Sequence, residues 1–545
     1  MAAAEDWVAR TAAQVQAQGE RWHPGEVPTC ASGISPSGPV HLGNLRELMT
    51  PHLVADEVRR NGAPCRHLLS WDDYDRLRRV PAGYPDWLAE HIGRPLTGVP
   101  DPCGEHESYA AHFKAPLRDS LARLGIGVAE ISQTEMYTSG AYAAQIVLAM
   151  RRRAEIGAVL ARYQTKRTGP DDEGERPAGA YYPFRPYCAS CGRDDTTVTG
   201  FDDETTEITY TCACGTVVGP TPIVEVAGKL AWKVDWPMRW AYEHVTFEPA
   251  GNDHASPGSS FTVGAELVTS IFGGELPLHF GYAFVGAGGS SKMSGSRGGA
   301  PTPSDALQIF EAPLLRWLYA RRRPEQSFSL AFGAEVGRVY DEWDVLSRKV
   351  ADGTADAVSR TVFARSAGTS QGPLPLTPRP LRFATLASVA DITASDEAQM
   401  LRIVQDLTAD DPVATLAEVR PRLDCAQSWV NDYALPEDRT HIRAEPDYGR
   451  LAALSDDERE AVRLLLKYMP DDWSVAGLTT LVYGIPKLLR GLPISAPPDK
   501  EIKDAQRTWF ALLYQLLVGR DTGPRLPTLL LALGQDRVRA LLAPA

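Results

Sequence analysis

The sequence is poor in cysteine, has no long hydrophobic run and carries no excess of positive charge. Its 545 residues include eight cysteines, too few for a disulfide-stapled scaffold of the secreted kind. No segment approaches the roughly 20 consecutive apolar residues of a membrane helix, and residues 1–32 hold Glu5, Asp6, Glu20 and Arg21 where a signal peptide needs an apolar core. The expectation is a cytoplasmic protein with no membrane partner. Lysine and arginine number 56 against 69 aspartate and glutamate, a net charge of −13, which excludes a binder that spreads phosphate-neutralising charge over its whole surface. Local basic tracks are still available, as in Arg151-Arg152-Arg153, Arg321-Arg322-Arg323 and residues 500–507. A composition of 43% hydrophobic and 23% charged residues is that of an ordinary globular chain and excludes collagen, coiled coil and disorder.

What is present is organised along the chain. Apolar residues at helical spacing (Trp7, Val8, Val15) open it, and a short apolar run, Val27 to Ala31, enters Ser32-Gly33-Ile34-Ser35-Pro36-Ser37-Gly38-Pro39-Val40-His41-Leu42-Gly43-Asn44. Leu42, Leu45, Leu48 and Met49 then recur at helical spacing, with Pro51 expected to kink or interrupt the helix. A second apolar run, Cys65 to Trp71, ends in Asp72, Asp73 and Asp75. Strand, glycine loop, helix and strand in this order predict an α/β fold on a parallel sheet. Residues 169–222 change to Gly, Pro, Asp, Thr and Cys and read as an inserted module, whereas beyond about residue 341 long Leu and Ala patterns predict an all-helical region.

A glycine loop running into a helix offers unpaired N–H groups and the positive end of the helix dipole, which suit phosphate. At this junction a ring nitrogen of His41 can donate to a phosphate oxygen, Gly43 admits close backbone approach and Asn44 supplies an amide donor; the alternative is a histidine that caps the helix. A second loop, residues 286–299, holds Ser291-Lys292-Met293-Ser294-Gly295-Ser296 among glycines, so Lys292 and two hydroxyls can close on a polyphosphate. Cys188-x2-Cys191 and Cys212-x-Cys214 place four of the eight cysteines within 27 positions. Two thiolate pairs chelate the two sides of a tetrahedral zinc and leave no open position, so such a zinc is structural; two reduced thiol pairs are the alternative.

The two loops together resemble the paired signatures of class I aminoacyl-tRNA synthetases. Residues Ala31 to Gly38, His41 to Glu47, Trp71 to Arg76, Lys229 to Pro237, Phe247 to His254 and Gly523 to Leu526 narrow the resemblance to the class I lysyl-tRNA synthetases. It implies a Rossmann-like catalytic domain over residues 1–340, with a zinc-ribbon insertion at about 169–222 and the loop 286–299, followed at 341–545 by a helical stem-contact and anticodon-binding region. The implied substrates are lysine, ATP with Mg2+, and tRNA(Lys), with structural Zn2+ and a monomer favoured.

The resemblance implies catalytic roles for His41, Asn44, Lys292, Ser294 and Ser296. ATP would meet Ser37, His41, Gly43, Asn44, Gly251, Asp253, His254 and Lys292. Lysine would meet Gly33, Ser35, Glu47, Asp72, Asp73, Trp232, His254 and Tyr282, because a desolvated ammonium needs a carboxylate or an aromatic face. Trp232 with Trp236 and Trp240 could equally be core, and Asp72 and Asp73 could cap a helix. Relatives also carry an Asp, Cys, His, His metal site that matches Asp101, Glu105, His106 and His112 here, with Cys103 as a substitute for Glu105. Two departures stand out: Gly295 replaces a serine or lysine of the second signature, and Asn252 replaces a common lysine. Glutamate or arginine synthetases, and an RNA-binding paralogue without ligase activity, are the alternative readings.

Overall fold

The structure is a computed structural model that describes residues 6–163, 181–255, 259–287, 299–436, 439–471 and 473–543. The chain divides into two units; the first comprises Met1–Leu307, Ala312–Ala331 and Leu346–Pro375, and the second Gln308–Glu311, Phe332–Val345 and Leu376–Ala545.

In the first unit the apolar runs form β1 (Thr29–Ile34) and β2 (Arg66–Trp71), joined in a four-stranded sheet by β3 (Ala129–Ser132) and β4 (Val245–Phe247) in the order β3-β2-β1-β4. Every pairing is parallel, with Gly33 opposite Ser70 and Ile34 opposite Trp71. Side chains alternate across a strand, and both faces of β1 are covered. Cys30 packs with Val54 and Val58 of α2 (Leu42–Arg60) and with Ala12 and Val15 of α1 (Trp7–Trp22). Ala31 faces Trp236 and Trp240 of α3 (Trp232–Tyr242). A sheet buried on both sides explains why these strands read as continuous apolar runs.

Pro51 does not break α2, which runs unbroken through it. Proline withdraws one rung of the helix ladder, but the surrounding turns are held: Thr50 Oγ1 donates to Arg46 O at 2.8 Å, and the Arg46 guanidinium donates to Ala283 O at 2.9 Å, Gln326 O at 2.8 Å and Arg323 O at 2.8 Å. Arg46 thereby fixes the turn that carries Glu47. The cysteine-bearing segment contains a three-stranded antiparallel sheet, Thr196–Phe201, Glu207–Cys212 and Val217–Pro222. In the basic tracks, Arg152 pairs with Glu155, Arg153 with Asp203 and Arg507 with Asp504.

In the second unit, the described residues from Leu376 onward form helices and no strand. One buried polar cluster ties its segments together. Arg422 Nε donates to Glu311 Oε2 at 2.9 Å and its Nη1 to Asp344 Oδ2 at 2.9 Å, while Thr377 Oγ1 donates to Glu311 Oε1 at 2.6 Å.

Candidate active site

Beyond β1 the chain turns through Ser35 to Val40 and enters α2, whose N-terminus is closed by His41 and Asn44 acting on each other. The Asn44 N–H donates to His41 Nδ1 at 3.3 Å and the His41 N–H to Asn44 Oδ1 at 3.3 Å. The capping reading of His41 thus describes this structure, and it has a chemical consequence. With Nδ1 accepting, the neutral ring carries its proton on Nε2, and burial lowers the His41 pKa, which favours that neutral form. With its Oδ1 engaged, Asn44 has its amide NH2 to donate. Both groups sit at the positive end of a helix dipole, and Gly43 lies between them in the first turn.

The chain that follows the second signature is fastened beside the same helix. Leu42 N–H donates to Pro301 O at 2.9 Å, and Pro301 resumes the chain after the Lys292 loop. Before that loop, Val285–Ala287 pairs in parallel with Phe328–Leu330. Lys292, Ser294, Gly295 and Ser296 themselves lie outside the described residues.

A group of acids and aromatics forms next to Gly33. Tyr282 donates its hydroxyl to Glu47 Oε2 at 2.7 Å, and the Gly33 N–H also reaches the Glu47 carboxylate. A Cβ added at Gly33 would stand 3.8 Å from Asp72 Oδ2, so glycine keeps this space narrow but open. Part of the Glu47 surface is exposed, yet the carboxylate is enclosed enough that desolvation, with Glu248 and Asp72 adding repulsion, raises its pKa to about 8 against the opposing hydrogen bond from Tyr282. No ion pair joins Glu47 to a cation among the described residues. Asp72 is bound to Arg239, whose Nη1 donates to Asp72 Oδ1 at 2.6 Å and whose Nη2 contacts Asp235. Arg239 lies 5.6 Å from the Trp232 ring centre, and Trp232 stacks on Trp236 at 5.2 Å between centres.

Gly251 is buried in the short strand Ala250–Gly251, which pairs with Gly281–Tyr282 and sets Gly251 opposite Tyr282. The next turn, Asn252–Ala255, carries His254, 6.3 Å from the Trp236 ring; the Asp253 side chain lies outside the described residues. Ser35 and Ser37 lie on the loop after β1, with Ser37 O accepting from the Tyr109 hydroxyl at 2.9 Å. Asp73 departs from its expected place at the lysine pocket. Its two oxygens accept from Lys114 Nζ at 2.5 Å, Ser132 Oγ at 2.6 Å, Thr134 N at 2.8 Å and Thr134 Oγ1 at 3.1 Å, which commits the carboxylate to joining β2 and β3.

The arrangement sets the His41 ring and the Asn44 amide at the α2 N-terminus and a group of acids and aromatics beside Gly33. Residues 5–368 match the family described as tRNA synthetases class I (K). The chain is 55% identical to a lysine–tRNA ligase of Streptomyces coelicolor, with 98% of each chain covered. The chain belongs to the class I (K) tRNA synthetases. More distant relatives named lysine–tRNA ligase come from Thermococcus kodakarensis, at 34% identity over 93% of this chain and 94% of the relative, and from Treponema pallidum, at 33% over 94% of each.

Among the described residues, two of the side-chain clusters compact enough to share a metal ion lie where the sequence pointed. Cys188 and Cys191 lie on one tight turn, closed by Gly192 N–H donating to Cys188 O at 2.8 Å; Cys212 and Cys214 lie on a second, closed by Gly215 N–H donating to Cys212 O at 2.9 Å. Across the pair, Cys188 Sγ is 3.7 Å from Cys214 Sγ and Cys191 Sγ is 3.8 Å from Cys212 Sγ. A tetrahedron with 2.3 Å zinc–sulfur bonds has edges of about 3.8 Å, so the sulfurs fit that ion. In the second cluster Cys103 Sγ stands 3.2 Å from Asp101 Oδ2, 3.4 Å from His106 Nδ1 and 3.3 Å from His112 Nδ1, and His112 Nδ1 is 3.0 Å from Asp101 Oδ1. The residues placed to hold an ion are Asp101, Cys103, His106 and His112. Cys103 stands in the group where Glu105 was expected: both are exposed, but the turn brings the Cys103 thiol to Asp101, His106 and His112.

Sequence reasoning assigned no role to Arg239, Asp235 or Glu248. All three stand inside the Lys229 to Pro237 and Phe247 to His254 segments or two residues beyond them, so the only available signal was their nearness to residues that carry the resemblance.

Proposed function

We propose that this synthetase activates lysine with ATP to lysyl-adenylate and transfers the lysyl group to the 3′-terminal ribose of tRNA(Lys). The observation that carries the reading is the Glu47 and Tyr282 pair in the recess beside Gly33, in a chain with near full-length likeness to lysine–tRNA ligases. The Glu47 carboxylate, with Asp72 behind it, receives the substrate ammonium; Tyr282 orients Glu47, and Trp232 and His254 wall the aliphatic stem. A glutamate side chain would gain no ion pair from Glu47 in either protonation state of that carboxyl, which disfavours the glutamate reading on electrostatic grounds.

In the first step the lysine carboxylate oxygen attacks the α-phosphorus of ATP and pyrophosphate leaves. In the second, a ribose hydroxyl, the 2′ group by class I resemblance, attacks the adenylate carbonyl and AMP leaves. The protein performs little covalent chemistry, so positioning and preorganised donors dominate. His41 Nε2–H and the Asn44 amide donate to phosphate oxygens at the α2 N-terminus, and Lys292 adds charge from the second loop. Mg2+ supplies charge neutralisation on the polyphosphate when bound. Gly251 and Asp253 lie on the segment that approaches the nucleotide. Zinc at Cys188, Cys191, Cys212 and Cys214, and at Asp101, Cys103, His106 and His112, would hold two loops in place without an open coordination position. The residues from 341 onward would contact the tRNA stem and anticodon, and the protein works as a cytoplasmic monomer.

Charging of purified tRNA pools with lysine, glutamate and arginine in parallel tests the reading. Lysine alone should be esterified. Charging of either other amino acid at a higher kcat/KM, or no charging at all, would overturn it.

A further inference from the structure

Helix α3 presents Trp232, Trp236 and Trp240 at i, i+4 and i+8, one face of one helix. The three indoles form a continuous ladder: Trp232 stacks on Trp236 at 5.2 Å and 15°, and Trp236 meets Trp240 at 4.8 Å and 55°. Its inner end is core, with Trp240 1% and Trp236 5% exposed, and its outer end, Trp232, is partly exposed at the first position of the helix. A single buried carboxylate, 6% exposed, spans the inner two rungs. Trp236 Nε1 donates to Glu248 Oε1 at 3.0 Å and Trp240 Nε1 to Glu248 Oε2 at 2.6 Å.

The helix needs such a clamp. Pro237 lies inside it and has no N–H to give to the carbonyl one turn back, so the turn that carries Trp232 lacks one rung of its own ladder. Glu248 bridges the two indoles on either side of that proline. Its own backbone is fixed as well: the Glu248 N–H donates to Leu278 O at 3.1 Å, and Glu248 O accepts from His279 Nδ1 at 2.9 Å. His279 in turn stacks on Phe261 at 3.6 Å, and Phe261 packs against Trp236 and Trp240. Six positions further along, the same segment presents His254 to the edge of Trp236.

We propose that Glu248 is a positioning residue for amino-acid recognition: by holding both indole N–H groups it sets the tryptophan ladder, and so places Trp232 and His254 as the walls of the recess that receives the substrate side chain. Glu248 touches neither substrate nor nucleotide. The proposal rests on the lysine-activation reading for the identity of the substrate, but its structural half, that Glu248 orders the ladder, stands apart from that reading.

The test uses the full-length enzyme. Glu248→Gln keeps the size of the side chain but turns one acceptor into a donor facing an indole N–H. It should raise the KM for lysine in pyrophosphate exchange about tenfold, the order expected for a buried mismatched donor, with kcat and the KM for ATP each held within about twofold. The near-UV circular dichroism of the coupled indoles should weaken in the same variant. Combining Glu248→Gln with Trp240→Phe removes the opposed N–H and should return the KM for lysine toward the wild-type value, a rescue that general loss of stability would not give. An unchanged near-UV spectrum overturns the structural half. A changed spectrum with unchanged KM for lysine, or equal rises in the KM for lysine and ATP, overturns the recognition half. Wild-type enzyme without lysine-dependent exchange would remove the function reading and the recognition half together, while the spectrum would still decide whether Glu248 orders the ladder.

Discussion

The raised pKa of Glu47 makes lysine recognition depend on pH in a direction that can be worked out in advance. Burial is the main cause and holds the carboxyl near 8, so at pH 7 only about one tenth of the free enzyme carries the charge that pairs with an ammonium. Ionising the rest costs about 1.4 kcal/mol at pH 7 and about twice that at pH 6, one unit of pH being about tenfold in population. The KM for lysine in pyrophosphate exchange should therefore fall about tenfold from pH 6 to pH 7 and level off above pH 8, with about 0.9 proton released per lysine bound at pH 7. Calorimetry in buffers of different ionisation enthalpy reads that proton directly. Glu47→Gln should abolish both the slope and the proton release. Losing a desolvated charge pair costs about 2–5 kcal/mol, part of which the wild type already spends on ionisation at pH 7, so the KM for lysine should rise about 10- to 100-fold. Folding follows the same linkage. A carboxyl raised above its ordinary value gives stability that is complete below that value and lost as pH climbs through 8, so Glu47→Gln should raise the Tm of the lysine-free enzyme at pH 8.5 more than at pH 5. A KM for lysine that stays flat from pH 6 to pH 8, or a Gln variant with wild-type KM, would refute the reasoning.

Three further outcomes test other parts of the structure. Metal analysis of the purified enzyme should find two zinc ions per chain; Cys103→Ser should lose one of them and Glu105→Gln neither, as read by chromophoric chelation. Asp73→Asn should cost about 3–5 kcal/mol in urea unfolding, because it leaves buried Lys114 without its carboxylate, while changing the KM for lysine less than Glu47→Gln does. Arg422→Ala should destabilise the second unit by a similar amount, about 3–5 kcal/mol, by leaving Glu311 buried and uncompensated; a calorimetric trace without a downward shift in any transition would count against it.

What could be read in the sequence was what a few consecutive residues decide. The run Val27 to Ala31, the glycine loop and the apolar spacing after His41 each constrain only local backbone, and together they located β1, the turn and α2. The cysteine pairs were legible for the same reason: two residues on one tight turn set two sulfurs on one side of a tetrahedron. The partner of a buried charge is a different kind of fact. Asp72 and Asp73 are neighbours with the same chemistry, yet alternation across the end of β2 sends one to Arg239 on α3 and the other to Lys114. Nothing in their spacing distinguishes the two. Cys103 and Glu105 differ by a similar accident of turn geometry.

The same division explains the tryptophan run. Its spacing was compatible with core or with pocket, and over the two turns from Trp240 to Trp232 the structure passes from fully buried to partly exposed rings, as the ladder proposed above requires. Burial at one end gives the rigidity that the other end needs for selective contact, since a wall that moves by an ångström cannot discriminate between side chains that differ by one methylene, worth only about 1–3 kcal/mol. A carboxylate was therefore a better clamp than another apolar contact. Dispersion holds a ring against a surface but lets it slide, whereas two hydrogen bonds to two different indoles fix both rings in direction as well as distance.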